Sequence, residues 1–126
     1  MSIDDMKPGY ALDALVAEKV LGWRLEYHTF GSDLPGGPFR AYGYDSSGRH
    51  LCGDFPHFST DIAAAWQVVE KFAADNWEVS VGWSIADNAW LCGIGLDGHR
   101  WDMELADTAP HAICLAALKA MEATSG

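Results

Sequence analysis

The chain has 126 residues, about half of them apolar, with 6 Trp, 5 Phe and 4 Tyr. That is one domain with enough apolar surface for a core, which excludes intrinsic disorder. Its formal net charge of −10 excludes general affinity for nucleic acid or anionic membrane, both of which need clustered Lys and Arg. Cys52, Cys92 and Cys114 are widely spaced and form no CxxC pair. They fit neither a disulfide framework nor a zinc site, and reduced thiols in a cytoplasm are expected.

The spacing of apolar residues predicts a first helix over Tyr10–Leu21, with Leu12, Leu15, Val16, Lys19 and Val20 on one side. The N-terminal MSIDDMKPGY before it shows no basic-then-apolar signal pattern. Gly22 is the expected stop, because glycine freely takes the left-handed conformation. WRLEYHTF, residues 23–30, alternates as a half-buried strand does. GSDLPGGP reads as a loop, and FRAYGY and RHLCGDF flank Asp45-Ser46-Ser47-Gly48 as a hairpin.

A second helix is expected in STDIAAAWQVVEKFAADN. Ser59 or Thr60 is the expected cap, and Asp61 suits the positive end of the helix dipole. Its apolar stripe is Ile62, Ala65, Trp66, Val69, Phe72 and Ala73.

Three strands then read as an antiparallel meander. One phase carries Trp77, Val79, Val81 and Trp83, then Trp90, Cys92, Ile94 and Leu96, then Trp101, Met103 and Leu105. The other carries Glu78, Ser80, Gly82 and Ser84, then Leu91, Gly93 and Gly95, then Arg100, Asp102 and Glu104. Glycine weakens a strand, so Gly82, Gly93 and Gly95 suggest close approach of a helix or a partner chain; local bulges are the alternative.

The last helix, TAPHAICLAALKAM, begins near Thr108 with Pro110 in its first turn. His111, Lys119 and Glu122 form only a narrow polar line along it. Such a helix must be buried on more than one side, against the tryptophan-bearing sheet face and the second helix. A homodimer interface is the other candidate for its cover.

No pattern of catalytic residues emerges. The chain lacks GxSxG, GxxxxGK[ST] and HExxH, so no nucleophile elbow, phosphate loop or zinc motif is expected, and no catalytic, cofactor-binding or metal-binding residue is assigned. His57, two residues before Ser59 at a helix entrance, is the histidine that invites a site; a structural or exposed role is the alternative. Asp102 and Glu104, placed near Glu78 by the meander, read as paired carboxylates or as a solvated face. The helix starts at Ser59–Asp61 and Thr108–Ala109 offer backbone N–H groups to an anion, which Asp61 opposes at the first.

Three segments resemble the landmark segments of the phage ABA sandwich domain family: LVAEKVLGW, STDIAAAWQVVEKF and TAPHAICLAALKAM. The glycine-rich stretch GSDLPGGPFRAYGYDSSGRHLCGDF has no counterpart in that match. The resemblance implies an α+β fold, a mainly antiparallel sheet packed with three helices in an α/β/α sandwich, spanning residues 1–126. It also implies expression in an infected bacterial cytoplasm, and it carries no catalytic residues. A sandwich covers both sheet faces, and Gly82, Gly93 and Gly95 are the expected seat of the first helix on the second face.

The expected function is that of a non-enzymatic phage or prophage accessory protein that binds a host protein, with interference in a bacterial defence system as the setting. Sequestration of a small nucleotide signal is the alternative. The candidate interface comprises Gly82, Gly93, Gly95, Trp90, Glu78, Asp102 and Glu104. No cofactor, membrane or direct nucleic-acid partner is expected.

Overall fold

A computed structural model describes residues 3–29, 39–44, 50–51, 56–96 and 103–125. The fold is α+β. Helix α1 spans Tyr10–Lys19, α2 Ile62–Ala74 and α3 Ala109–Ser125. Strands β1 (Arg24–Thr29), β2 (Phe39–Tyr44) and β3 (His50–Leu51) form one antiparallel meander. Strands β4 (Glu78–Ser84), β5 (Ala89–Gly95) and β6 (Glu104–Ala106) form a second. The β2–β3 hairpin and the β4–β5–β6 meander follow the expected order, and β1 adds to β2 as a third strand. The turn at residues 45–48 lies outside the described residues.

The helix ends follow local chemistry. After α1 the chain turns at Gly22, whose φ of 72° lies in the left-handed region. The Trp23 N–H then reaches back to the Ala17 carbonyl at 3.0 Å, and the Trp23 ring packs edge-on against Phe58. After α2, Asn76 takes the left-handed position with φ 66°. The Trp77 N–H bonds the Phe72 carbonyl at 2.9 Å while its ring meets Phe72 at 5.2 Å between centroids. This is the Schellman arrangement with its accompanying apolar contact. At both ends a tryptophan follows the left-handed residue and carries the chain into the core.

Helix α3 is the centre of the molecule. Every residue from Ala112 to Leu118 is buried, as its missing polar face requires. It packs on β5, β6 and β4, on α2, on α1 and on the N-terminal turn at Ile3–Asp5. Ala112, Ala116, Ala117 and Ala120 are all buried and permit close helix contact. Its narrow polar line is satisfied locally. His111 Nε2 donates to the Met6 carbonyl at 2.8 Å, and Lys119 Nζ lies 3.0 Å from Glu104 Oε1.

The inner face of the second sheet is set by the pairs Val79–Ile94, Val81–Cys92 and Trp83–Trp90. The expected phase holds for β4 and β5 and reverses in β6. Cys92 pairs with Glu104 and Leu91 with Leu105, and directly opposed residues share a face. Glu104 therefore points inward, where Lys119 compensates its charge, and Leu105 points outward and is exposed.

Two further expectations are corrected. The buried arc of α2 is Ala64, Ala65, Val68, Val69 and Phe72, so Ile62, Trp66 and Ala73 face outward. Helix α1 seats on α3 and β1, not on the glycine face of the second sheet. A Cβ at Gly82 would meet only Leu91 Cδ1 at 3.8 Å, an ordinary contact, so no helix backbone presses on it.

Ile113→Ala is expected to cost about 2–5 kcal/mol and Ala117→Leu about 1–3 kcal/mol, by cavity and overpacking respectively. Ile85→Ala, in the exposed β4–β5 turn, is expected to stay within about 0.5 kcal/mol. Urea unfolding midpoints check all three. Equal losses at Ile113 and Ile85 would remove α3 from the core.

Candidate functional site

Two places in the fold bring chemistry-bearing residues together. The first lies where α1 begins and the chain approaches α2. Asp13 and Ser59 are both buried. Asp13 Oδ1 accepts from the Ser59 hydroxyl at 2.6 Å and from the Ser59 N–H at 2.7 Å. The Ser59 oxygen in turn accepts from the Gly9 N–H at 2.8 Å. His57 Nδ1 stands 3.8 Å from the other carboxylate oxygen, with its ring largely exposed.

Ser, His and Asp side by side invite comparison with a nucleophilic relay, but the connections differ. A relay places the imidazole between carboxylate and hydroxyl, so that it can take the hydroxyl proton. Here the hydroxyl donates its hydrogen bond to the carboxylate directly and sits in the interior. The node instead ties the start of α1 to the approach to α2 across 46 residues. Ser59 is thus a tertiary tether and not the expected cap; Asp61 caps α2 by accepting from the Ala63 N–H at 3.0 Å. A signal was present in the sequence, since Asp13 stands among Leu12, Val16 and Ala17 on the apolar side of α1.

Burial pushes the Asp13 carboxyl above its ordinary value of 3.8, with the Ser59 hydrogen bonds and His57 pulling partly back. Burial also pushes the Cys92 thiol up to about 12, reinforced by Glu104. Cys114 is raised further, by burial first and then by Asp13 and Cys92. Both thiols pack as small apolar groups and are poor nucleophiles. Among the described residues no cluster of three or more His, Cys, Asp or Glu could hold a metal.

The second place is a cleft of about 540 Å³ lined by Ile62 and Trp66 of α2, Val81 of β4, Trp90 of β5, and Thr108, Ala109 and Pro110 at the start of α3. Ile62 is 50% exposed and Trp66 48%. Trp83, 48% exposed, stands edge-on to Trp90 with centroids 5.6 Å apart. The cleft is open, and its volume falls within the ~300–1,000 Å³ usual for ligand sites. Thr108 Oγ1 accepts from the His111 N–H at 3.4 Å, so the α3 start carries its own cap. A smaller hollow of about 330 Å³ lies among Ile3, Leu15, Lys19, Leu118, Met121 and Glu122.

The sequence-based interface residues do not converge. Glu78, Gly82, Gly93 and Gly95 lie on the outer face of the second sheet, with Gly93 and Gly95 buried in its central strand. Trp90 and Glu104 lie on the inner face, so Glu104 is not paired with Glu78. Asp102 lies outside the described residues. Only Trp90 belongs to the cleft. Trp66 was missed because its place in an apolar stripe marked it as core.

Ser59→Ala is expected to cost about 1–3 kcal/mol, because it removes the hydroxyl that the buried Asp13 carboxyl group and the part-buried Gly9 N–H both bond. The folded protein holds the Asp13 proton more tightly than the unfolded chain does. That contribution to stability is fully present below the unfolded value near 3.8 and is lost as pH rises through the raised folded value. Measured against Asp13→Asn, wild-type stability should therefore fall with rising pH across this interval and then level off. Urea midpoints in an acid pH series test it; a difference that grows with pH would overturn the assignment.

Comparison with known proteins bears on the whole chain. No curated protein matches it. A phage protein from Bacillus cereus ATCC 14579, known from a 2.0 Å crystal structure, is similar in fold with a TM-score of 0.62 and 25% sequence identity. The similarity covers 97% of this chain and 89% of that one. The model of the phage ABA sandwich domain matches residues 14–118, which takes in α2, both meanders and the larger part of α1 and of α3. The chain belongs to the phage ABA sandwich domain family.

Proposed function

We propose that this phage-family protein is a non-enzymatic accessory factor that binds a host protein, and that the cleft between α2, the second sheet and the start of α3 is its contact surface. The observation that carries this reading is the group of large apolar side chains left half exposed around one hollow. Ile62 and Trp66 line the hollow and are each about half accessible, as is Trp83, whose ring stands against the lining Trp90. Exposed aromatics around a pocket are the usual anchors of protein interfaces. The chemistry elsewhere supports a binding role over a catalytic one. The Asp13 carboxylate and the Ser59 hydroxyl are committed to each other, and the two described thiols are buried. Interference with a bacterial defence system is the setting that phage kinship and small size favour.

Sequestration of a nucleotide signal is the second reading. It is favoured by the meeting of indole faces with a helix N-terminus in the same cleft. A thermal-shift panel of nucleotides separates the two readings, since a ligand bound only to the native state raises the midpoint, increasingly so as its concentration exceeds its Kd.

For host-protein binding, Trp66→Ala is expected to weaken capture by about 2 kcal/mol, about thirtyfold in Kd, with little change in folding stability. Cross-linking and affinity capture from lysate of the host bacterium, wild type against Trp66→Ala, measure this. Recovery of no specific host protein at any salt concentration, or identical recovery by both forms, would sink the reading.

A further inference from the structure

We infer that the cleft receives an arginine side chain carried on an apolar segment of the partner protein. This rests on the host-protein reading and names the chemistry that such a partner must present. The lining residues Ile62, Trp66, Val81, Trp90, Ala109 and Pro110 bear no charge of either sign. The charges next to them in the chain are negative. Asp61 precedes Ile62, Asp107 precedes Thr108, and Glu70 stands one turn beyond Trp66 on the same side of α2; all three are exposed. Asp87 lies in the turn that follows Trp83, where it accepts from the Ser84 hydroxyl at 2.7 Å. On α2 the one lysine, Lys71, points away from the Trp66 side and holds Asp75.

An apolar, aromatic hollow whose lining residues have acidic neighbours along the chain is complementary to a cation on an apolar stem. A guanidinium lays its flat face on an indole while its edge N–H groups reach outward to carboxylates. A compact, strongly hydrated ammonium satisfies both demands less well. The same charges act against a phosphate. The N-terminus of α3 would attract one, but Thr108 already takes the His111 N–H and Pro110 has no N–H to give. Asp107 adds a negative charge at that point, within a chain of net charge −10. A second copy of this chain would bring a like-charged surface to the cleft.

The test is a titration of the isotope-labelled protein followed by amide and indole N–H resonances. The probes are acetyl-Gly-Leu-Arg-Phe-Gly-amide, the same peptide with citrulline for arginine, and adenosine monophosphate. The arginine peptide should shift the Trp66 and Trp90 indole signals and the Ala109 amide saturably. Citrulline, which keeps the shape and removes the charge, should bind at least fivefold more weakly. Asp107→Asn should weaken the arginine peptide several-fold, as should added salt. Trp66→Ala should abolish the shifts while Trp66→Phe retains part of them, so that loss of an aromatic face is distinguished from loss of folding.

Equal affinity for arginine and citrulline peptides overturns the inference. So does silence with the arginine peptide at millimolar concentration, a response of the same signals to the nucleotide alone, or their shift on raising protein concentration without peptide. Host capture that depends on Trp66, found together with equal peptide affinities, removes this inference and leaves the binding reading standing. Failed capture with discriminating peptides does the reverse.

Discussion

Helix α3 has almost no polar surface, and the rest of the molecule is arranged to meet that constraint. A helix apolar on most of its circumference cannot lie at a protein surface. Here the second sheet, α1, α2 and the N-terminal turn all pack against it. Its alanines let the neighbouring backbones come close, and Ile113, Leu115 and Leu118 fill the spaces between them. The few polar groups on α3 leave through short, specific exits, His111 to the Met6 carbonyl and Lys119 to Glu104.

Burying so much of a small chain brings polar groups inside with it. Among the described residues every buried side-chain nitrogen or oxygen has a hydrogen-bond partner, as the cost of an unpaired buried polar group demands. The Asp13–Ser59–Gly9 node is one of these arrangements, with Asp13 and Ser59 both buried. It joins two segments far apart in sequence, and its connectivity makes it structural. The raised thiols of Cys92 and Cys114 belong to the same interior, where their protonated, apolar character matters more than their reactivity.

Core packing also creates the cleft. To set Ala64, Ala65, Val68, Val69 and Phe72 into the core, α2 is rotated roughly 70° about its axis from the orientation its apolar stripe suggests. That rotation turns Ile62 and Trp66 outward, where they line one hollow with Trp90, Val81 and the start of α3. The surface proposed to meet a host protein is therefore a consequence of how the helices pack.

The sequence by itself determined what local chemistry can specify. Gly22 marked the end of α1, alternation marked β4 and β5, the missing polar face marked α3 as buried, and three segments carried the family resemblance. Tertiary structure alone decided which arc of α2 is buried, because apolar residues occupy more than half of that helix and periodicity cannot choose among overlapping arcs. It decided the phase of β6, where three residues are too few for alternation to outweigh a Lys119–Glu104 ion pair formed across elements. It turned Ser59 from a cap into the partner of Asp13, since a contact over 46 residues leaves no trace in local spacing. The cleft is likewise made by three elements that meet only in the folded chain, so its lining is a property of packing and not of any one segment.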